Sequence, residues 1–511
     1  MKARGQNPRA FFFFRYTRPM TSAGNAVALR QFAANVAGVA WSALIQLAFT
    51  PLYLRLVGPE SYGLIGFFVT LAALLQVFDL GMSPTVNREV ARFSARDGSA
   101  AAASRFLFSF EVVYWGLAVV VAVILAAATP LVAGRWLKAS TLSTGVIASC
   151  FLRMALLTAL QWPITLYQAA LRGLQRHVSW NALKIGAVTA ANLIAVLFLR
   201  FVSNSIVAFF TVQIVVAVVH VIALRIWTWR HMARPHERRF TSSLLLGAWR
   251  FSAAMTVITV AAVVISQADK AVVSAVAPLA SFGYYVIAAM AANALLVVII
   301  PVFNTLMPRF AYLSASGRIE ETKTTYVAAL EGIAALLAPI AAVIAVFSYE
   351  ILLLWTGSDA AARSAAPVAS LLVIGTALNG VMNIPYALQI AEGWLRLALA
   401  LTLAQTALYL PLLCILAWRF GPVGAAAAWP IVGAAYVCAG LPLTQRRFLT
   451  ARESLAAAGG VARAVVIAAG CALAGRFLLD RSLPMVVATA VFAMAASVAA
   501  TPAVRRMIRS Y

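Results

Sequence analysis

The chain has 511 residues, of which 63% are hydrophobic and only 11% are charged, and its mean hydropathy is +0.91. This composition excludes an ordinary soluble globular protein, in which about a quarter of the residues are charged. The net charge of +25 would suggest nucleic-acid binding in a soluble protein, but here the basic residues flank apolar runs. We therefore predict a membrane protein whose basic residues contact anionic membrane lipids, and no nucleic acid.

The N-terminal segment, residues 1–32, is basic and contains a short FFFF run at 11–14. It lacks the longer apolar region and the small-residue cleavage site of a signal peptide. We expect a cytosolic tail that precedes the first transmembrane helix.

Fourteen apolar segments follow the tail, and most have the roughly 20 residues that a helix needs to cross a bilayer. We predict an all-α polytopic membrane protein with helices over residues 33–57, 62–83, 106–134, 144–171, 178–200, 203–225, 249–275, 281–308, 325–354, 364–391, 396–418, 422–445, 461–479 and 483–504.

The distribution of Lys and Arg tests this layout, because cytosolic loops of membrane proteins carry an excess of both residues. When alternate loops are assigned to one side, 29 of the 40 Lys and Arg lie on the side of the N-terminus and nine on the other. The remaining two, Arg153 and Lys184, lie well inside predicted spans and are assigned to neither side. The pattern predicts that both termini are cytosolic and that the number of helices is even.

The sequence also contains an internal repeat. A shift of 220 residues aligns Arg30 with Arg250, the tripeptide 61–63 (SYG) with 281–283 (SFG), and Ser94 with Ser314. A repeat of six helices preserves orientation, and such parallel repeats are typical of rocking transporters. We predict an N-lobe (33–228), a basic cytosolic linker (229–248), a C-lobe (249–445), and two additional helices with a basic tail (446–511).

Two segments resemble a known family. The run LRLVGPESYGLIGFFVTLAALLQVFDLGMSPTVNREVARFSA (54–95) and the run ISQADKAVVSAVAPLASFGYYVIAAM (265–290) are similar to the polysaccharide flippases of the multidrug/oligosaccharidyl-lipid/polysaccharide exporter superfamily. The resemblance implies a two-lobed helical bundle. It also implies that the bundle moves an undecaprenyl-diphosphate-linked glycan from the cytosolic to the periplasmic leaflet of the cytoplasmic membrane.

A diphosphate-linked glycan requires a cavity with cationic and polar lining, because a phosphate cannot enter hydrocarbon unpaired. Several helices carry polar stripes about 80° to 100° wide that provide such a lining. The candidate cations are Arg153, Lys184, Lys270, Arg172 and Arg250. The candidate polar lining residues are Gln161, Gln168, Asn181, Asn192, Thr256, Thr259, Gln267, Asn379 and Asn383.

Each of these residues has a second interpretation. The polar stripes also fit hydrogen bonding between packed helices. Arg153 and Lys184 cost about 2.5–3.5 kcal/mol each near the bilayer centre, unless they extend to a membrane face. Lys270 also fits a helix-end charge or a partner of Asp269, which lies off the polar stripe of its helix. Arg250 also fits a cytosolic anchor.

Four acids lie nearest to membrane depth: Asp79, Asp269, Glu111 and Glu331. They are candidates for H⁺ or Na⁺ coupling. Salt bridges, or charges at helix N-termini, are the alternative interpretation.

Other chemistries have less support. The four histidines show no metal-ligand spacing, and no GxSxG or Walker A motif is present, so we expect neither a metal nor a cofactor. A membrane polymerase or ligase is disfavoured because the predicted periplasmic loops are short.

We expect a lipid-linked oligosaccharide flippase, not an enzyme, that works by alternating access and with other polysaccharide assembly proteins. A lipid II flippase and a multidrug or small-solute exporter remain the alternatives.

Overall fold

The computed structural model describes residues 22–94, 99–232, 239–242, 260, 263–478 and 483–501. Over these residues the chain is helical and forms no strand, apart from one isolated bridge between Lys138 and Pro278. The helices are α1 (Ser22–Leu75), α2 (Met82–Ser94), α3 (Ala100–Leu131), α4 (Thr144–Gly173), α5 (His177–Phe201), α6 (Ile206–Arg230), α7 (263–276), α8 (Leu279–Asn293), α9 (Leu296–Ala315), α10 (Ile319–Val346), α11 (Ser348–Thr356), α12 (Asp359–Ala391), α13 (Leu395–Gln445), α14 (Ala451–Leu478) and α15 (Leu483–Ala500).

The helices confirm a polytopic membrane protein. Among the described residues, ten are long and apolar enough to cross a membrane, and two shorter apolar helices accompany them. Two of the ten, α1 with 54 residues and α13 with 51, would each exceed 75 Å as straight helices, more than twice the roughly 30 Å of a hydrocarbon core. Each turns at a glycine with positive φ, Gly58 at 79° and Gly421 at 61°, so each supplies two of the predicted spans.

The helices pack into two lobes. In the N-lobe α4 packs against α2, α3 and α6, and α5 packs against α1 and α6; in the C-lobe α12 packs against α8, α9, α10 and α13. The last two helices, α14 and α15, pack against each other and against α10, outside the repeat. The exact lobe boundaries stay a prediction, since most of the linker lies outside the described residues.

Several predicted helices are interrupted. Helix 2 breaks at a short 3-10 turn, Gln76–Asp79, after which Leu80 and Gly81 both take positive φ. Helix 8 breaks at residues 294–295, which the 220-residue shift aligns with 74–75 at the end of α1. The break in helix 8 therefore lies just before the point equivalent to the break in helix 2. The apolar composition hid the break in helix 8, whereas the break in helix 2 contains Gln76, Asp79 and Gly81, which we predicted to be part of a continuous helix.

The repeated tripeptides contact each other across the lobes. A Cβ added at Gly63 would overlap the carbonyl oxygen of Leu279, and one added at Gly283 would lie 2.8 Å from the carbonyl oxygen of Pro59. Leu279 and Pro59 are themselves 220 residues apart, so the contact is reciprocal. A Cβ at Gly66 would lie 2.7 Å from Val286, its own repeat equivalent. The lobes thus meet around a pseudo-two-fold axis, and glycine permits the backbones to approach.

Glu60, between Pro59 and the tripeptide, organises a third segment at this contact. Its buried carboxylate accepts hydrogen bonds from the backbone N–H groups of Ser140, Thr141 and Leu142, at 2.7, 3.0 and 3.1 Å. It also accepts from the side-chain hydroxyls of Ser140 and Thr141. The same segment reaches the C-lobe, because the backbone N–H of Leu279 donates to the carbonyl of Lys138 at 2.8 Å.

The contact between the lobes is concentrated at this end. In the described parts of the chain, α1 and α8 make the extensive inter-lobe packing, whereas α2 and α9, at the opposite ends, pack mainly within their own lobes. We refer to Pro59, Gly63, Leu279 and Gly283 as the glycine seal.

Candidate functional site

Two cations flank one aromatic ring in the N-lobe. The guanidinium carbon of Arg172 lies 5.5 Å from the centroid of the Trp180 ring, and the Lys184 Nζ atom lies 5.6 Å from it. Trp180 is 8% exposed, and neither its Nε1–H nor the Arg172 Nε–H has a hydrogen-bond acceptor among the residues that the structure describes. Over the described ranges neither cation forms a salt bridge. We refer to these three residues as the cation cluster.

A tight turn between α4 and α5 builds the cluster. The backbone N–H of Arg176 donates to the carbonyl of Leu171 at 2.9 Å, and Gln175 takes a φ of 57°. This is the hydrogen-bond pattern of a Schellman helix end. It reverses the chain within three residues and brings Arg172, in the last turn of α4, against the first turns of α5.

An acid lies close to the cluster. The carboxylate of Asp79 attracts Arg172. It also accepts hydrogen bonds from the Ser83 N–H at 2.9 Å, the Ser83 hydroxyl at 2.7 Å and the Tyr114 hydroxyl at 2.8 Å. The Asp79 carboxylate therefore caps the N-terminal end of α2 and balances part of the charge of Arg172. It lines a small pocket together with the predicted residue Gln161.

A second polar site lies inside the C-lobe. A cavity of 340 Å³ is enclosed by α7, α8, α9, α12 and α13. It brings together four predicted residues: Asp269, Lys270, Asn379 and Asn383. The sequence placed them on two helices more than 100 residues apart, and the structure brings them to one site. We refer to it as the C-lobe cavity.

Asp269 and Lys270 form an ion pair at the wall of this cavity. The Lys270 Nζ atom lies 3.2 Å from the Asp269 Oδ1 atom and donates to the Ser266 carbonyl at 3.0 Å. The Tyr285 hydroxyl donates to the second carboxylate oxygen at 2.9 Å. The helical projection separated Asp269 from the polar stripe, but both charges line the cavity because the Lys270 side chain folds back along α7.

Arg153 does not join the cation cluster. Its guanidinium donates to the Ser149 carbonyl at 2.9 Å and to the Thr211 hydroxyl at 3.0 Å, between α4 and α6. It is 19 residues from Arg172 on the same helix, a distance of about 28 Å. The structure therefore separates the two arginines along α4.

The remaining predicted lining residues are dispersed. Asn181 is buried against Gly38 of α1, and the Asn192 Oδ1 atom accepts a hydrogen bond from the Tyr53 hydroxyl at 2.9 Å. Gln168 and Gln267 are partly buried. Arg250, Thr256 and Thr259 lie outside the described residues.

The two other candidate acids are buried. Glu111 accepts hydrogen bonds from Tyr167 at 2.7 Å, Arg225 at 2.6 Å and Trp229 at 3.1 Å. Such pairing is typical of an acid that holds helices together, here α3, α4 and α6. Glu331 on α10 packs against Gly460 of α14, where a Cβ would overlap the carboxylate.

Sequence reasoning missed the aromatic members of both sites. Trp180 in the cation cluster, and Tyr409 and Trp429 at the C-lobe cavity, are apolar by composition and appeared only as part of hydrophobic runs. Trp180 had one available signal, since it stands four residues before a lysine on the same helix. The other two had none, because nothing in the sequence orients them toward a cavity.

Comparisons with known proteins identify relatives of this architecture. A family model described as "Polysaccharide biosynthesis protein" matches residues 28–314. No curated protein matches the sequence. The structure is similar to the lipid II flippase MurJ in an inward closed conformation, with a TM-score of 0.67 at 12% identity, over 90% of this chain and 96% of that one.

Two solved structures of MATE multidrug resistance transporters of the MOP superfamily are also similar. An inward-facing conformation has a TM-score of 0.65 at 14% identity and covers 80% of this chain and 94% of that one. An outward-facing conformation has a TM-score of 0.55 at 14% identity and covers 83% and 95%. At these identities the likeness shows a shared fold.

Proposed function

Since the chain belongs to the family of polysaccharide biosynthesis proteins, whose model matches more than half of it, we propose that it flips a lipid-linked oligosaccharide across the cytoplasmic membrane. The carrier is undecaprenyl diphosphate, and the direction is from the cytosolic to the periplasmic leaflet. The predicted membership of the multidrug/oligosaccharidyl-lipid/polysaccharide exporter superfamily is confirmed by the family and by the MurJ and MATE neighbours.

The observation that carries the proposal is the cation cluster. Arg172 and Lys184 are two positive charges without a salt-bridge partner in the described chain, held at one buried ring. A diphosphate supplies the missing acceptors, and each charge-assisted hydrogen bond to it is worth about 1.5–3 kcal/mol. A neutral drug-like solute would leave Lys184 without a counter-charge and Arg172 only partly balanced by Asp79.

The sidedness follows from the distribution of Lys and Arg. With both termini cytosolic, the glycine seal faces the periplasm and the cation cluster lies at the cytosolic ends of α4 and α5. The protein is then closed to the periplasm and able to receive a cytosolic substrate. The greater similarity to the inward-facing than to the outward-facing MATE transporter supports this assignment.

Alternating access requires the seal to open while the cytosolic ends of the lobes approach each other. Asp79 and Asp269 line cavities and are our candidates for H⁺ or Na⁺ coupling. Glu111 also lines a cavity and, like Asp79, accepts three hydrogen bonds, so it remains a candidate.

The proposal is tested in cells that lack the protein. We expect undecaprenyl-diphosphate-linked oligosaccharide to accumulate in the cytosolic leaflet, inaccessible to a membrane-impermeant glycan probe, and to clear when the protein is restored. Normal display of the glycan without accumulation would refute the proposal and favour a small-solute exporter. Accumulation of lipid II alone would favour the lipid II flippase.

A further inference from the structure

We propose that the C-lobe cavity binds one neutral sugar unit of the lipid-linked substrate while the cation cluster of the N-lobe holds the diphosphate. This inference rests on the proposed function and adds the division of one substrate between the two lobes. The inference rests on the chemistry of the cavity wall. The wall carries amides, aromatic rings and an ion pair without net charge, whereas the cation cluster carries two positive charges.

The polar part of the wall includes three side-chain amides. Asn379, Asn383 and Asn293 all line the cavity. The Asn383 amide N–H donates to the Asn379 carbonyl at 3.0 Å, which leaves its Oδ1 atom for a ligand. The Asn379 and Asn293 amides line the cavity and make no hydrogen bond to any described residue. Amides both donate and accept, as sugar hydroxyls do.

Two aromatic rings form an apolar part of the wall. Tyr409 and Trp429 pack edge to face, with ring centroids 5.3 Å apart. The indole N–H of Trp429 donates to the Thr376 hydroxyl at 3.3 Å, which fixes the ring orientation. Rigid aromatic surface beside hydrogen-bonding groups suits the mixed apolar and polar faces of a sugar ring.

The charges in the cavity exclude the diphosphate itself. Asp269 would repel a phosphate, and its carboxylate already accepts hydrogen bonds from Lys270 and Tyr285. The ion pair of Asp269 and Lys270 carries no net charge. A neutral ligand meets no net charge there. The volume of 340 Å³ is at the small end of the roughly 300–1,000 Å³ range of ligand pockets, which fits one sugar unit and not a whole oligosaccharide.

A ligand can reach this site from outside the lobe. Ser266, Asn293 and Leu296 line the cavity and are exposed, so the opening lies between α7 and the α8–α9 break. That break lies close to the repeat equivalent of the break in helix 2, which contains Asp79. Each lobe thus presents a polar site beside its broken helix, cationic in one lobe and neutral in the other.

Binding to the purified full-length protein tests the inference with two probes. The first is bare undecaprenyl diphosphate, and the second is the lipid-linked oligosaccharide extracted from cells lacking the protein. Asn379→Leu should weaken binding of the glycolipid about tenfold, the loss expected for one or two neutral hydrogen bonds, and change binding of the bare lipid less than twofold. Lys184→Ala should weaken both. Asn304→Leu is the matched control, since Asn304 is an exposed amide on α9 outside the cavity.

Each outcome decides the question. Loss of glycolipid binding alone, in Asn379→Leu or in the isosteric Thr376→Val if the first variant does not fold, supports the sugar site. Unchanged glycolipid binding in folded variants, or equal loss for both probes, overturns it while leaving the flippase proposal intact. A wild-type protein that binds neither probe overturns the flippase proposal itself.

Discussion

The glycine seal makes a sharp prediction about the conformational equilibrium. Replacing Gly283 with Val places a Cβ 2.8 Å from the Pro59 carbonyl oxygen, at least 0.6 Å inside the 3.4 Å limit of ordinary contact. The obstacle is backbone on both sides, so no side chain can rotate away. The closed seal must therefore separate, and the variant should favour the conformation that is open at this end.

The expected shift follows from the cost of overpacking, which is about 1–3 kcal/mol for added methyl groups in a packed interface. A cost of about 2 kcal/mol corresponds to a roughly 30-fold change in the ratio of open to closed molecules. Because the contact is reciprocal, Gly63→Val should produce a similar shift. The double variant should add little, since one variant already separates the same two backbones.

The shift is measured by labelling a cysteine at Val286, a buried residue at the lobe interface, in a variant without the four native cysteines. The rate of reaction with a membrane-impermeant maleimide should rise in Gly283→Val and in Gly63→Val. Gly186→Val is the matched control, because a Cβ at Gly186 meets nothing within 4 Å. Unchanged rates in both seal variants, or an equal rise in the control, would refute the reasoning.

Three further variants test neighbouring parts of the account. Glu60→Ala removes the acceptor of three backbone N–H groups, and partial exposure of that segment limits the loss in the free energy of unfolding to about 2–3 kcal/mol. We expect a lower Tm and faster labelling at the glycine seal. Unchanged labelling would show that this segment does not stabilise the seal. Glu111→Gln weakens the Arg225 ion pair and should lower the free energy of unfolding by about 1–2 kcal/mol, a value discounted because Arg225 is 44% exposed. An unchanged midpoint of chemical unfolding would show that Glu111 does not hold α3, α4 and α6 together. Arg153→Ala should reduce translocation much less than Lys184→Ala at equal expression, and equal losses would place Arg153 on the substrate path.

The repeat was the most informative feature of the sequence. The all-helical polytopic fold follows from apolar length, and the structure confirms it, with ten helices long enough to span a membrane and two shorter apolar helices among the described residues. The number of fourteen spans and the lobe boundaries stay predictions. The break in helix 8 lies in an apolar run and carries no sequence signal, whereas the break in helix 2 had one in Asp79 and Gly81, which we interpreted as part of a continuous helix. The reciprocal contact of Gly63 and Gly283 was equally hidden, since alignment of two glycines does not show that they touch.

The sites were only partly predictable. Helical periodicity selected Arg172 and Lys184 on separate helices, but their meeting depends on the turn at Gln175, a non-glycine residue in left-handed conformation that sequence rarely signals. Arg153 satisfied the same criteria but does not join the cluster. Periodicity predicts which face of a helix a residue occupies, but not which residues of the neighbouring helices lie at the same depth in the membrane. The aromatic walls required the tertiary structure.

The most direct test of the central claim is translocation in proteoliposomes that contain only this protein and a fluorescent undecaprenyl-diphosphate-linked oligosaccharide. Quenching by an external reagent reports the fraction of glycan in the outer leaflet over time. We expect protein-dependent equilibration between the leaflets, at a rate that falls at least tenfold in Lys184→Ala and in Arg172→Ala. Equilibration that is absent with wild-type protein, or unaffected by either variant, would contradict it.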